Sequence, residues 1–409
     1  MLRILSLFLV ALSTLGAAAP PAADAAKAGL DASQLARIAP RMKVLSNDQV
    51  VSGAVTLVMR NGVLAHHEAA GWQDAEARKP MQKDTIFQIM SMTKPFTGVS
   101  IMMLMEEGKL RLSDPVEKHL PEFRGQMVII SEENGVRSLR KPTRPITIRD
   151  LMSHTSGMGQ AAPGIGEIMV SMDRTLADAC LVYSQQPLLF EPGTRWSYSN
   201  AGIAVLGRIV EVLSGVSYEQ FLEKRIFEPL AMTDTHVFLP ESKHARLAPV
   251  YEFNKEKHLV KSGSNILAGD PLKFRAGAKY SGPEHSLYST AWDLAQFYQM
   301  MCNQGVLNGK RLLSPQSVAI MTALHTGDIQ AGHNVGTGFG LTWEVTKSTA
   351  GTLTGQSIGT FGHGGAFGTY GWIDPAKHLV GVFMVQLNGD SRPARDAFVG
   401  MANAALLEK

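Results

Sequence analysis

The chain has 409 residues, of which 45% are apolar, 18% charged and 7% aromatic, enough to bury one large core or two ordinary ones. Its 39 Lys and Arg stand against 36 Asp and Glu, a net charge of +3. That balance gives no bulk attraction for nucleic acid or an anionic membrane, so the expected partner is a small molecule.

The first residues, MLRILSLFLVALSTLGAAAPPAADAAKAGL, run from Arg3 through an apolar block ending near Leu15 into a small-residue zone at Ala17 to Ala26. This is the three-part layout of a secretory signal peptide. The apolar block is shorter than the roughly 20 residues a membrane span needs. Residues 1–26 are therefore expected to be a leader with its cleavage zone, and the product to be secreted or periplasmic without stable membrane insertion. A retained anchor is the alternative. No cysteine lies near this zone, and the two thiols, Cys180 and Cys302, are expected to be independent and buried.

GAVTLVMRNGVLAHHEAAGW sets Asn61-Gly62 between two apolar-rich runs, a strong hairpin signal. A helical pattern then runs from about Ser91 to Glu107 and stops at Gly108. From Leu110 to about Ser242, segments such as ITIRDLMSHTSGM and NAGIAVLGRIVEVLSG carry little period-two alternation, so this region is expected to be mostly helical. FGTYGWIDPAKHLVGVFMVQLN gives two strands around an Asp374-Pro375 turn, and RPARDAFVGMANAALLEK closes the chain as a helix. Strands at both ends with helices between them predict an α/β (α+β) fold. One antiparallel sheet built from both chain ends is flanked by helices, beside a helical subdomain at approximately 110–242. The site is expected at their junction.

Three stretches carry chemistry. In FQIMSMTKPFTGVSIMM, Ser91 and Lys94 stand at i and i+3 on one helix face, close enough for an amine to take the serine proton. The lysine must be neutral for this, and burial among Phe87, Met90, Phe96 and Met102 to Met105 would lower its proton affinity. A second match to the spacing, SLRK at Ser138 to Lys141, sits in a basic, proline-bounded segment expected to be a loop, so context separates the two. In EPGTRWSYSN, Tyr198 is a candidate second proton carrier. Asn200 either orients a substrate carbonyl or the lysine, or caps the helix that follows. In GTFGHGGAFGTYGW, the glycines let backbone approach an acyl group, and the amide of Ala366 could pair with that of Ser91 as an oxyanion hole. A tight bend without a ligand is the other reading of that stretch. His363 would face the substrate as a neutral donor or a part-time cation.

In this order SMTK, YSN and HGG resemble the three active-site elements of serine β-lactamases and penicillin-binding proteins. The closest likeness is to the class C branch, which includes D,D-peptidases, D-aminopeptidases, family VIII carboxylesterases and acyltransferases. KLRLSDPVEKHLPEF, FEPGTRWSYSNAGIAVLGRIVE, SLYSTAWDLAQFYQMM and GTYGWIDP also resemble this branch, and the likeness runs from about Leu30 to the C-terminus. It implies one β-lactamase/transpeptidase-like domain over 27–409, needing no metal or other cofactor. It further implies Ser91 as acylating nucleophile, Lys94 and Tyr198 as the acid/base pair, and Asn200 as a substrate-orienting side chain. His363, Gly364, Gly365 and Ala366 would line the substrate, with the amides of Ser91 and Ala366 as oxyanion hole. HGG departs from the Lys-Thr-Gly of β-lactamases, replacing a permanent cation with a mostly neutral imidazole.

The expected activity is that of a secreted serine hydrolase on a small ester or amide, foremost a carboxylesterase on short acyl esters. Such esters have good leaving groups and need no carboxylate clamp. A D-amino-acid peptidase, D,D-carboxypeptidase or weak β-lactamase is the alternative. A non-catalytic penicillin or peptidoglycan sensor is opposed by the intact proton-transfer set. GQSIG, Gly355 to Gly359, mimics a nucleophile elbow but lacks a following helix. HHE, His66 to Glu68, reads as a solvated strand face, and His154 as a structural residue satisfying buried backbone groups.

Overall fold

A computed structural model describes residues 20–159, 174–263 and 278–407; the apolar block of the expected leader lies outside them. From Asp24, whose amide donates to the Leu64 carbonyl at 2.8 Å, the chain is tied to the fold. Helix α1 (Ile38–Asn47) leads into strands β1 (Gly53–Arg60), β2 (Val63–Asp74) and β3 (Lys79–Pro80), and then helix α2 (Lys94–Glu106). A hairpin, β4 (Val128–Glu133) and β5 (Val136–Arg140), precedes helices α3 (Ile148–Met152), α4 (Leu176–Ser184) and α5 (Asn200–Ser214). Helix α6 (Ala291–Cys302) is followed by strands β6 (Thr337–Phe339), β7 (Glu344–Thr346), β8 (Phe361–Gly364), β9 (Tyr370–Asp374) and β10 (Leu379–Met384), and by helix α7 (Arg392–Ala404).

The two chain ends build one antiparallel sheet of eight strands, ordered β6-β7-β8-β9-β10-β1-β2-β3. Its central seam pairs β1 with β10, from Val55 opposite Met384 to Arg60 opposite Leu379. Asn61 and Gly62 turn β1 into β2 at φ of 52° and 76°, the conformation that makes Asn-Gly a hairpin signal. Alternation on β1 assigns its two faces. Val55, Leu57 and Met59 join the large core shared with α2 and the helical subdomain, whereas Ala54 and Val58 pack with Ile38 and Met42 of α1 and Phe398 of α7. With both faces covered, β1 reads as an almost unbroken apolar run.

Among the described residues of 110–242 the regular elements are helices, with one correction to the expectation: the β4/β5 hairpin. Its residues beyond Ile129 are exposed, so no hydrophobic alternation marks it, yet its turn is another Asn-Gly, Asn134-Gly135, at φ of 51° and 78°. SLRK consequently begins on a strand rather than in a loop, and strand geometry turns residues three apart to opposite faces.

A second correction concerns His66 and His67. They do face opposite sides of β2, but neither is solvated, because both sides of the sheet are covered there. His66 Nε2 meets Thr56 Oγ1 across the strands at 2.8 Å. Both cysteines are free; Cys180 is buried, while Cys302, the last residue of α6, is only half-buried.

Helix α6 lies against the sheet beside the site strand β8, with the ring of Tyr298 directly over Gly371, the partner of His363 across the β8/β9 ladder. A methyl group at Gly371 would sit 2.0 Å from that ring. Gly371→Ala should therefore destabilise the protein by about 1–3 kcal/mol, the usual cost of overpacking. Urea unfolding against the parent measures it; an unchanged midpoint would show that α6 can move away freely.

Candidate active site

Ser91 and Lys94 belong to a 3-10 turn, Met90–Thr93, and to the first residue of α2, so the helix starts three residues later than its apolar pattern suggests. In a 3-10 turn side chains at i and i+3 eclipse, which brings the pair closer than an α-helix would. Lys94 Nζ lies 2.9 Å from Ser91 Oγ and donates to the Glu284 carbonyl at 2.7 Å. It also sits 4.7 Å from the centre of the Tyr198 ring. The lysine side chain is fully buried, and this burial brings its pKa down to about 7, against an opposing pull from the Glu284 charge.

The turn that presents Ser91 is strained and clamped. Met90 adopts φ of 50°, a left-handed conformation that a non-glycine residue keeps only when its surroundings enforce it. The surroundings are identifiable. Gln386, just beyond β10, bonds both the amide and the carbonyl of Gln88, and Ile89 donates to the Leu287 carbonyl at 2.9 Å. Met90 itself packs on Phe367 of the glycine turn.

That glycine turn follows β8. Gly368 donates to the Gly365 carbonyl at 2.9 Å, so Ala366 occupies a central position whose amide the turn's own bond does not use. Gly365 is required by close approach: a Cβ there would lie 2.4 Å from the Ile89 carbonyl and 2.2 Å from Thr369 Oγ1. Thr369 Oγ1 in turn donates to Ile89. The glycine therefore brings its turn against Ile89, two residues before the half-buried Ser91, and leaves Ala366 exposed with its amide outside the turn's own bond.

Tyr198 precedes α5 and is held by His154 on both sides in sequence. The His154 carbonyl accepts from the Ser197 amide at 2.9 Å, and its Nδ1 accepts from the Ser199 amide at 3.1 Å. His154 is thus the structural residue expected, and burial beside Lys94 and His363 keeps it neutral. Its ring lies 4.5 Å from that of Tyr198. Burial raises the Tyr198 phenol well above its ordinary range, with a hydrogen bond to Ser91 pulling the other way. The cap of α5 is Ser199, whose hydroxyl accepts from the Gly202 amide at 3.0 Å. The capping alternative for Asn200 is thereby overturned, and Asn200 stands in the first helical position beside Tyr198.

His363, on β8, is neutral, as one of the two expectations has it, but its proton goes to the backbone. Its Nδ1 lies 2.7 Å from the Gly364 carbonyl, which can only accept, so Nδ1 carries the proton and Nε2 presents a lone pair. Nε2 is buried and meets no donor among the described residues. Burial first, and the Lys94 charge second, lower its pKa to about 3. It is neither a cation nor an Nε2 donor.

Three aromatic neighbours of Tyr198 escaped the sequence reading: Trp196, Phe339 and His333, the last with its ring 4.7 Å away. Only Trp196 carried a local signal, its place in the same short motif. Glu284 was missed because nothing in its sequence neighbourhood marks a contact 190 residues from Lys94. Ser357 is remote from this constellation; its amide donates to Asp374, and no strand leads into its loop.

Residues 35–406 match the Beta-lactamase family. An uncharacterized protein of Mycobacterium tuberculosis is 34% identical over 354 residues, covering 82% of this chain and 86% of that protein. Esterase EstB of Burkholderia gladioli is 28% identical over 373 residues, covering 86% and 90%. Among solved structures, EstCE1, described as a hydrolase with promiscuous acyltransferase activity, superposes with a TM-score of 0.76 at 25% identity, over 91% of this chain and 99% of that one. With SMTK, YSN and HGG assembled on the fold these proteins share, the chain belongs to the beta-lactamase family and is a serine hydrolase.

Proposed function

We propose that the protein is a carboxylesterase that cleaves short acyl esters through an acyl-enzyme on Ser91. The observation that carries this reading is His363. Where a β-lactam or a C-terminal D-amino acid would bring its carboxylate, the third element offers an uncharged ring with its proton turned into the backbone. A carboxylate gains nothing from such a lone pair, whereas an ester without one loses nothing. The likeness to Esterase EstB supports the same choice.

The chemistry follows from the protonation states. Neutral Lys94 takes the proton of Ser91 as Oγ bonds to the ester carbon, and the amides of Ser91 and Ala366 receive the charge that develops on the carbonyl oxygen. Tyr198, a neutral phenol at pH 7, relays the proton from Lys94 to the departing alkoxide as the C–O bond breaks. Water then adds to the acyl carbon as the same pair takes its proton, and that proton returns to Ser91 Oγ as the Oγ–C bond breaks and the acid leaves. Lys94 is the first base because Tyr198 has the far higher proton affinity and is not ionised at pH 7.

Four outcomes are expected. Ser91→Ala should abolish both hydrolysis of p-nitrophenyl butyrate and labelling by a fluorophosphonate; undiminished turnover would sink the assignment. Across p-nitrophenyl butyrate, a chromogenic cephalosporin and a D-Ala-D-Ala peptide, the ester should be turned over most rapidly, and a preference for the peptide would move the assignment to the D-peptidases. The ester's kcat/KM should rise with pH through about 7, because only the unprotonated Lys94 accepts a proton; a flat profile from pH 5 to 9 excludes a lysine base. Gly365→Ala, which pushes the Ala366 amide away from Ser91, should slow acylation by roughly 10²–10³-fold, the loss typical of one oxyanion donor. Stopped-flow labelling reads this directly, and a rate within twofold of the parent would remove Ala366 from the hole.

A further inference from the structure

Glu284 is a charged feature of the site's surroundings that the mechanism above does not use. Its side chain is fully buried, a costly place for a carboxyl unless it is partnered. Tyr280 donates its hydroxyl to Oε1 at 2.7 Å, and His285 Nδ1 stands 3.0 Å from the same oxygen. These contacts outweigh burial and hold the carboxyl below its ordinary range, so it is ionised at pH 7.

The turn carrying these residues is fastened to the nucleophile's helix. Lys94 donates to the Glu284 carbonyl at 2.7 Å, Thr97 to the Pro283 carbonyl at 2.8 Å, and the Leu287 amide to Thr93 at 3.1 Å. Glu284 thus touches the lysine through its backbone, while its carboxylate is engaged by Tyr280 and His285. Its charge still reaches the amine and raises its proton affinity.

We infer that Glu284 is a positioning residue that supplies the fixed counter-charge for Lys94 during acylation. The inference rests on the reading of Lys94 as the base. When the Ser91 proton moves to Nζ, a buried neutral amine becomes a buried ammonium, a charge the interior tolerates only beside an opposite one. Of the other titratable groups that face Lys94, His154 from the end of α3, Tyr198 from the segment before α5 and His363 from β8 are all neutral. The exposed His333 lies beyond the Tyr198 ring. Glu284 supplies the negative charge. Acting through space rather than as a direct ion pair, it keeps the amine basic enough to accept a proton without fixing it as an ammonium in the resting enzyme.

The test is the pH dependence of fluorophosphonate labelling of Ser91, which does not depend on the natural substrate, together with the melting temperature. Glu284→Gln keeps an acceptor for Tyr280 but removes the charge, so the midpoint of the alkaline rise should fall by at least one pH unit, a tenfold change in the proton affinity of Lys94. Glu284→Asp should restore the parental midpoint. His285→Leu, which weakens the hold on the carboxylate without touching Lys94, should shift the midpoint the same way as Glu284→Gln and decides the matter if that variant fails to fold. A slower rate at an unchanged midpoint in both variants would reduce Glu284 to a packing role and overturn the inference while leaving the Ser91 mechanism standing. Failure of the parent protein to label at Ser91 would overturn both.

Discussion

Everything at this site depends on one amine held out of water. Lys94 gives its hydrogen bonds to a hydroxyl and a carbonyl, Ser91 Oγ and Glu284 O, and rests against the Tyr198 ring, with no solvent contact for its side chain. Water would keep a lysine charged far above neutral pH. Removing it makes a lysine serve as a base near pH 7, and the same burial pushes the neighbouring phenol the other way. The two proton carriers are thereby separated in affinity, which orders their roles.

Holding that amine in place draws on parts of the chain that are far apart in sequence. The serine turn is gripped by Gln386 just beyond β10, by Leu287 after the Glu284 turn and by Thr369 after the glycine turn. Tyr198 is hung from His154 at the end of α3. The strain at Met90 persists because Gln386, Leu287 and Phe367 hold the turn, and Gln386 and Phe367 come from the C-terminal part of the chain whose strand β10 docks on β1. Fold and site are consequently one unit: a seam between β1 and β10 that fails to form leaves the serine turn without the residues that grip it.

Much of this was legible in the sequence for definite physical reasons. The Asn61-Gly62 hairpin, the two strands around Asp374-Pro375 and the apolar burial of Lys94 are local patterns with local causes, and each appears where its pattern lies. The β4/β5 hairpin escaped because an exposed ribbon has no hydrophobic period, although its Asn134-Gly135 turn was readable. His66 and His67 were misjudged because polarity suggested solvent, whereas both faces of the sheet are covered there, a matter of packing that strand alternation does not carry. Ser199 rather than Asn200 caps α5, a one-residue difference that composition does not resolve. The tautomer of His363 and the contact from Glu284 are matters of three-dimensional placement, with no counterpart in spacing.

In the reading proposed above, HGG changes the preference of a family architecture while Ser91, Lys94 and Tyr198 stay in place. An imidazole that spends its proton on the next carbonyl leaves the third element without a charge to offer a carboxylate. The claim on which all of this rests is the resting state of Lys94. It can be read directly by ¹³C NMR of protein labelled at lysine Cε, with the Lys94 signal assigned by its absence from Lys94→Arg. A titration midpoint near 7 is expected; a midpoint near 10, the value of a solvated lysine, would mean that the amine is charged at neutral pH and is not the base.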